Sequence, residues 1–192
     1  MSNSGQLYQP HDQFILFGDS ITQQATAPDS GFVFQAELQD EEYKENLKQF
    51  IQHPAVLAQG TKILVLTPPA VNEYQMDAGD GTPLKRTAVN TKLYADAARE
   101  VASSLGTPVA DIWTTFMTTA GWKEGETPLP GSKEIPNNVQ LQTLLSDGLH
   151  LTAEGYRTVF DVVMQAIRTN WPELSPESFP WVFPTWTEAP KY

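Results

Sequence analysis

Residues 14–22 read Phe14-Ile15-Leu16-Phe17-Gly18-Asp19-Ser20-Ile21-Thr22, and this stretch decides the fold that the sequence predicts. Its four leading apolar residues are typical of a strand that is buried on both faces in a parallel sheet. Because Gly18 ends this run, Ser20 is predicted to lie at the carboxyl edge of the sheet, where open α/β sheets bind ligands. A serine hydroxyl is a weak nucleophile unless a base accepts its proton, so the chain must also supply a base.

A candidate base lies near the other end of the chain, in the stretch Asp147-Gly148-Leu149-His150-Leu151-Thr152. Asp147 and His150 are three residues apart around a glycine turn, so the carboxylate can accept a hydrogen bond from one imidazole nitrogen while the other nitrogen faces a serine. The alternative is structural, because Asp-Gly is a common turn dipeptide and Thr152 can cap the helix that follows. The serine and histidine motifs together, in this order, favour catalysis.

His53 is the rival base. It lies at the end of a predicted helix, 41–52, and has no carboxylate partner nearby in the sequence. We therefore interpret His53 as a capping or solvent-facing residue. The loop from Asp77 to Gly81 resembles a calcium loop only superficially, because Ala88 stands where such a loop needs glutamate.

The two motifs, Gly18-Asp19-Ser20-Ile21-Thr22 and Asp147-Gly148-Leu149-His150, resemble the first and last blocks of the GDSL, or SGNH, family of serine esterases and lipases. Three other segments resemble its isoamyl acetate-hydrolysing branch: Thr67-Pro68-Pro69, a helix from Asn90 to Leu105, and Pro180-Trp181-Val182-Phe183-Pro184. The resemblance implies hydrolysis of short-chain carboxylic (acetate) esters, with no metal and no cofactor. Ser20 would be the nucleophile, His150 the base and Asp147 the residue that orients it, and the backbone N–H of Ser20 would bind the oxyanion.

The resemblance also implies a three-layer α/β/α sandwich, similar to flavodoxin, with a five-stranded parallel sheet. Only three buried strands are predicted here, at 14–17, 63–67 and 109–113. No Gly-x-Asn-Asp motif lies between Ser20 and Ile63, so the usual Gly and Asn of the oxyanion hole are not found. Two strand-helix units, roughly 50–60 residues at about 30 per unit, are missing. We therefore expect a shortened fold, poorly stable or weakly active, in which the first strand pairs with the Ile63 strand or lacks partners.

The sequence also predicts two helices and a long loop. A helix capped by Asn90 is predicted to bury Leu93, Ala97, Val101 and Leu105, and the last helix, from Ala153 to about Thr169, to bury an apolar face. That face comprises Tyr156, Val159, Phe160, Val163 and Ile167. Residues 114–146 are rich in glycine and proline and predict a surface excursion, which is either a wall of the acyl pocket or disordered.

Composition narrows the class of protein. The 192 residues fit one domain, 1–192, and a net charge of −11 argues against nucleic acid and anionic membranes as partners. The absence of cysteine excludes disulfides and thiol chemistry. The first dozen residues lack a signal-peptide core, and no apolar run approaches the ~18 residues of a membrane span, so a cytoplasmic protein with a small ester as its partner is expected.

A second hypothesis is a non-enzymatic remnant of the family, which keeps Ser20, Asp147 and His150 but no longer turns over substrate. The missing Gly-x-Asn-Asp block favours it. Such a remnant would act, if at all, through protein partners. The aromatic tail, 171–192, is predicted to strap across the body, and an exposed partner-binding segment is the alternative.

Overall fold

The computed structural model describes residues 14–17, 40–84 and 86–178. Three strands lie in these ranges: β1 (Phe14–Phe17), β2 (Lys62–Leu66) and β3 (Val109–Ala110). Seven helices lie there as well: α1 (Asp40–Ile51), α2 (Pro54–Leu57), α3 (Glu73–Met76), α4 (Ala88–Ser104), α5 (Ile112–Thr119), α6 (Val139–Leu144) and α7 (Ala153–Asn170). A single 3₁₀ turn, Pro172–Leu174, follows α7.

The three strands form one parallel sheet in the order β1-β2-β3. Phe14 lies opposite Lys62 and Phe17 opposite Val65, so the first strand does pair with the Ile63 strand. Val65 in turn lies opposite Val109. Because all three strands run the same way, their carboxyl ends share one edge of the sheet.

Helices cover both faces of β2. Ile63 and Val65 pack with residues of α1 and α4, such as Leu47 and Val101. Leu64, between them in sequence, points the other way and packs with Met164 and Ile167 of α7. The three-layer α/β/α sandwich is thus confirmed, with a sheet that has three strands in the described part of the chain.

The third strand is shorter than predicted. It ends at Ala110 instead of Trp113, because the carboxylate of Asp111 accepts a hydrogen bond from the Thr114 N–H at 3.1 Å and begins helix α5. Trp113 then lies on the buried face of that helix and meets Trp122 edge to face, with ring centroids 5.1 Å apart.

The prediction of a surface excursion at 114–146 is wrong for the apolar residues of this segment, although many of its other residues are exposed. Its glycines and prolines do mark turns, but the apolar residues between the turns fold inward and help to form the largest core cluster. They are Phe116, Met117, Trp122, Leu129, Leu141, Leu144 and Leu145. Isolated apolar residues in a turn-rich stretch give no periodic signal, which is why the pattern suggested a surface.

Two helix predictions also need correction. Thr87, not Asn90, caps α4, since its hydroxyl accepts a hydrogen bond from the Asn90 N–H at 3.1 Å. Leu93 is 50% exposed, and the buried face of α4 is lined mainly by alanines, which let the helix approach its neighbours closely. On α7, Tyr156 and Phe160 are exposed, while Gly155, Met164, Ala166 and Ile167 are buried.

The start of the predicted strap lies in the described chain. Trp171 and Leu174 pack against the α7 side of the sheet, beside Met164 and Ile167. Residues 179–192, which carry the rest of the strap, lie outside the described residues. In the part of the chain that the structure describes, no helix is both long and apolar enough to cross a bilayer.

Two Phe→Ala substitutions test whether residue 116 is buried and residue 160 exposed, contrary to the sequence pattern. Phe116 is 0% exposed, so Phe116→Ala should lower the free energy of unfolding by about 3–5 kcal/mol. Phe160 is 61% exposed, so Phe160→Ala should change it by no more than about 0.5 kcal/mol. Urea unfolding of both variants beside the parent measures the difference, and equal losses would contradict the packing described above.

Candidate active site

The stretch from Leu145 to Leu151 forms a closed loop. Leu145 and Leu151 pair as an antiparallel bridge, and the Ser146 N–H donates to the His150 carbonyl at 2.8 Å. Thr152 then accepts a hydrogen bond from the Gly155 N–H at 3.1 Å and caps α7, as its sequence position predicted. The capping role of Thr152 and the Asp147–His150 pair are therefore compatible with each other. We call residues 145–151 the histidine loop.

Within the histidine loop, Asp147 and His150 form a hydrogen-bonded pair. The Asp147 Oδ2 atom lies 2.6 Å from His150 Nδ1. The other carboxylate oxygen, Oδ1, accepts the backbone N–H groups of His150 at 2.8 Å and of Leu149 at 3.0 Å. A proton on Nδ1 leaves the lone pair on Nε2, which has no hydrogen-bond partner among the described residues. The pair thus presents one imidazole nitrogen that can accept a proton.

The carboxylate of Asp147 is held in its charged form. The His150 N–H contributes most, followed by the hydrogen bond to the imidazole, and together they lower the pKa of Asp147 from 3.8 to about 2. Asp147 is therefore a fixed anion at neutral pH. A fixed anion at Nδ1 stabilises the imidazolium that forms when Nε2 takes up a proton.

Gly148 fixes the place of the loop against the rest of the fold. Its carbonyl accepts the Asn72 N–H at 2.9 Å, and Asn72 lies on the segment that leaves the carboxyl end of β2. The φ of Gly148 is +88°, and a Cβ there would lie 2.3 Å from the Asn72 carbonyl oxygen. Only glycine fits both the backbone angle and the close approach. The histidine loop therefore packs against the chain at the edge where β1 also ends.

The remaining candidate residues are distributed as follows. Gly18, Asp19 and Ser20 lie outside the described residues. His53 is exposed and its Nδ1 accepts the Ala55 N–H at 3.2 Å, so it does cap a helix, but it caps the start of α2 and not the end of the helix predicted at 41–52. Across the described ranges, no group of three or more His, Cys, Asp or Glu side chains is arranged to hold a metal ion.

A cavity of about 330 Å³ lies beside the histidine loop. Apart from Leu149, its walls come from residues 76–86, a segment that includes the loop from Asp77 to Gly81. The lining residues are Met76, Ala78, Asp80, Thr82, Pro83, Leu84, Arg86 and Leu149. None of them belongs to 114–146, for which a pocket wall was one of the two alternatives. A more open groove of about 600 Å³, between β3, α5 and α7, includes no residue of the histidine loop.

Gly148→Ala should displace the histidine loop. Gly121 is the matched control, because its φ of +87° is nearly the same and nothing lies within 4 Å of a Cβ there. We expect Gly121→Ala to cost about 1–2 kcal/mol, the price of the backbone angle alone. Gly148→Ala should cost about 1–3 kcal/mol more, because its methyl group also collides with the Asn72 carbonyl. Denaturant unfolding of the two variants measures both losses of stability. Similar losses would mean that the Asn72 carbonyl moves away from the added methyl group at little cost in free energy.

The low pKa of Asp147 predicts a pH-dependent contribution to stability. Because folding lowers this pKa, the stabilisation is present above about pH 4 and is lost as the pH falls toward 2. The difference in unfolding free energy between the parent and Asp147→Asn should therefore shrink between about pH 5 and pH 2. It should be small throughout, since the carboxylate is more than half exposed. Urea titrations at several pH values measure it, and a constant difference would show that Asp147 titrates normally.

Comparison with known proteins shows which family this chain resembles. The sequence model of the GDSL-like lipase/acylhydrolase family matches residues 33–163. A GDSL esterase/lipase of Arabidopsis thaliana is 31% identical over 152 residues, which cover 75% of this chain and 54% of that protein. The human isoamyl acetate-hydrolyzing esterase 1 homolog is 27% identical over 155 residues, covering 78% and 52%. The chain thus spans about half the length of the curated relatives it matches.

Solved structures give the same fold. An acetyl xylan esterase matches with a TM-score of 0.50 and 17% identity, over 80% of this chain and 66% of that one. A variant of an acetyl-xylooligosaccharide esterase from Geobacillus stearothermophilus matches with a TM-score of 0.51 and 14% identity, over 80% and 58%. The family model covers more than half of the chain, and the architecture agrees with it. The chain belongs to the GDSL-like lipase/acylhydrolase family.

Proposed function

We propose that this chain is a serine esterase that hydrolyses short-chain carboxylic esters, acetates in particular. One observation carries the proposal: Asp147 Oδ2 lies 2.6 Å from His150 Nδ1 in a loop next to the carboxyl end of the sheet. Ser20, three residues beyond the end of β1, would be the nucleophile. The family supports hydrolysis of an ester or acyl bond as the general reaction.

The reaction would proceed in two halves. His150 Nε2 takes the proton of the Ser20 hydroxyl as its oxygen attacks the carbonyl carbon, and the protonated imidazole then donates that proton to the departing alcohol. Water next attacks the acyl-Ser20 ester, giving its proton to His150, and the carboxylic acid leaves as Ser20 regains a proton. Asp147 stays ionised throughout and stabilises the imidazolium formed in each half.

The proposed site has few hydrogen-bond donors for the oxyanion. The Ser20 N–H is the donor that the sequence offers, while the usual Gly and Asn are not found in it. Losing one such donor costs about 10²–10³ in rate, so we expect slow turnover. The proposed activation of Ser20 by the imidazole needs no metal, and the missing donors lower the rate without changing that step.

The substrate class rests on two supports. The cavity beside Leu149 has a volume of about 330 Å³, which suits a small ester better than a long-chain lipid. Its lining combines apolar residues with Asp80, Thr82 and Arg86. The human relative is described as an isoamyl acetate-hydrolyzing esterase homolog, which favours an acetate. A cytoplasmic location and a single domain spanning 1–192 stay predictions from the sequence.

A second candidate is the non-enzymatic remnant that acts through protein partners. The missing Gly-x-Asn-Asp block between Ser20 and Ile63 favours it, because an active site without its oxyanion donors loses its largest catalytic term. The aromatic tail would then be the binding segment. Covalent labelling separates the two candidates, since a fluorophosphonate reacts with an activated serine even in a slow enzyme.

Hydrolysis of p-nitrophenyl acetate tests the esterase. We expect Ser20→Ala and His150→Ala each to lower kcat/KM by at least about 10²-fold, because they remove the nucleophile and its general base. His53→Asn is the matched control, since asparagine can still cap α2 and the rate should not change. A fluorophosphonate should label the parent and not Ser20→Ala. A folded parent with no activity above Ser20→Ala and no label would establish the remnant instead.

A further inference from the structure

Two hydrogen bonds from one short segment hold the histidine loop. The Gln75 side-chain amide donates from Nε2 to the Leu145 carbonyl at 2.8 Å, where the loop begins. The Asn72 backbone N–H donates to the Gly148 carbonyl at 2.9 Å, at the turn of the loop. Asn72 and Gln75, the cap and third residue of α3, thus grip the loop at two points. We call them the α3 clamp.

The clamp is fixed by its own hydrogen bonds. Asn72 is 0% exposed, and its Nδ2 donates to Gln75 Oε1 at 2.9 Å and to Asn137 Oδ1 at 3.1 Å. Its Oδ1 accepts the Tyr74 N–H at 3.2 Å. The orientation of the Gln75 amide follows, because a carbonyl such as that of Leu145 can only accept. A buried amide with all its partners in place is rigid and specifies one arrangement.

Glu73 ties the same segment to the body of the protein. Its buried carboxylate accepts the Ala88 N–H at 2.8 Å, at the start of α4, and the Lys133 N–H at 3.2 Å. Its own N–H donates to the Gly131 carbonyl at 2.8 Å. Hydrogen bonds to two other segments of the chain therefore hold α3 in place, and α3 can in turn hold the histidine loop in place.

The imidazole itself has little else to hold it. The His150 side chain is 75% exposed, and among the described residues its one side-chain hydrogen bond is to Asp147, which belongs to the same loop. The direction of Nε2 relative to the sheet edge is then set by the position of the whole loop. Hydrogen bonds that anchor the loop therefore also fix the position of the His150 imidazole.

We propose that Gln75 and Asn72 are positioning residues of the active site, which hold the Asp147–His150 pair in register with the sheet edge. The expected effect on the rate rests on the proposed function, whereas the expected effect on the position of the histidine loop rests on geometry alone. A misplacement of about 1 Å costs on the order of 10²-fold in rate, so losing one of the two anchors should cost about 10-fold.

Gln75→Met is the test substitution, because methionine keeps the length and volume of glutamine but cannot donate to the Leu145 carbonyl. With p-nitrophenyl acetate, kcat should fall about 10-fold while KM stays within about twofold, since the clamp does not contact the substrate. Gln142→Met is the matched control, as the Gln142 side chain is exposed and has no hydrogen bond within the described chain. Gln75→Glu, which keeps the acceptor for Asn72, should lose activity in the same direction and covers the case in which Gln75→Met folds poorly.

Hydrogen exchange of the Asn72 amide provides a readout that needs no turnover, because this N–H donates to the Gly148 carbonyl of the histidine loop. In Gln75→Met and Gln75→Glu the exchange should be faster than in the parent, since the loop has lost one of its two anchors, and in Gln142→Met it should not change. Unchanged kcat with unchanged exchange would overturn the proposal. If the parent is no faster than Ser20→Ala, the proposed function fails, and the exchange rate alone then decides whether the clamp holds the loop.

Discussion

The central strand β2 is the constraint on which the rest of the structure depends. It pairs in parallel with β1 on one side and β3 on the other, and its two faces are covered by different helices. At its carboxyl end, the buried Thr67 hydroxyl donates to Asp111 Oδ1 at 3.0 Å and accepts the Trp113 N–H at 2.9 Å. One side chain thereby joins the exit of β2 to the start of α5. The segment beyond it supplies the α3 clamp.

The sequence predicted those features that depend on contacts close along the chain. Asp147 and His150 are three residues apart, so their hydrogen bond could be anticipated from the turn between them. The pairing of β1 with the Ile63 strand was among the alternatives, because buried strands need ladder partners. The capping of α7 by Thr152 also follows from its position just before the helix.

Contacts that join distant parts of the chain could not be predicted in this way. Gln75 reaches Leu145 across 70 residues, and no local pattern distinguishes it from a surface glutamine. Trp113 and Phe116 face the core because Asp111 begins a helix where an apolar run suggested a strand. Tyr156 and Phe160 fit an apolar helical face by spacing, but the side of α7 that meets the sheet is the one with Gly155, Met164 and Ile167. Packing decides between faces that periodicity leaves equivalent.

Thr152 links the histidine loop to the longest helix of the described chain. Its hydroxyl caps α7, and its backbone N–H donates to the Leu144 carbonyl at 3.0 Å, which closes the loop. Thr152 therefore bonds both to the first turn of α7 and to the residue that precedes the loop, and neither element can unfold without disturbing the other. The loop and the first turn of α7 should therefore unfold together, as one cooperative unit. The Asp147–His150 pair, though exposed to solvent, is thus held in place by the end of a helix and not by burial.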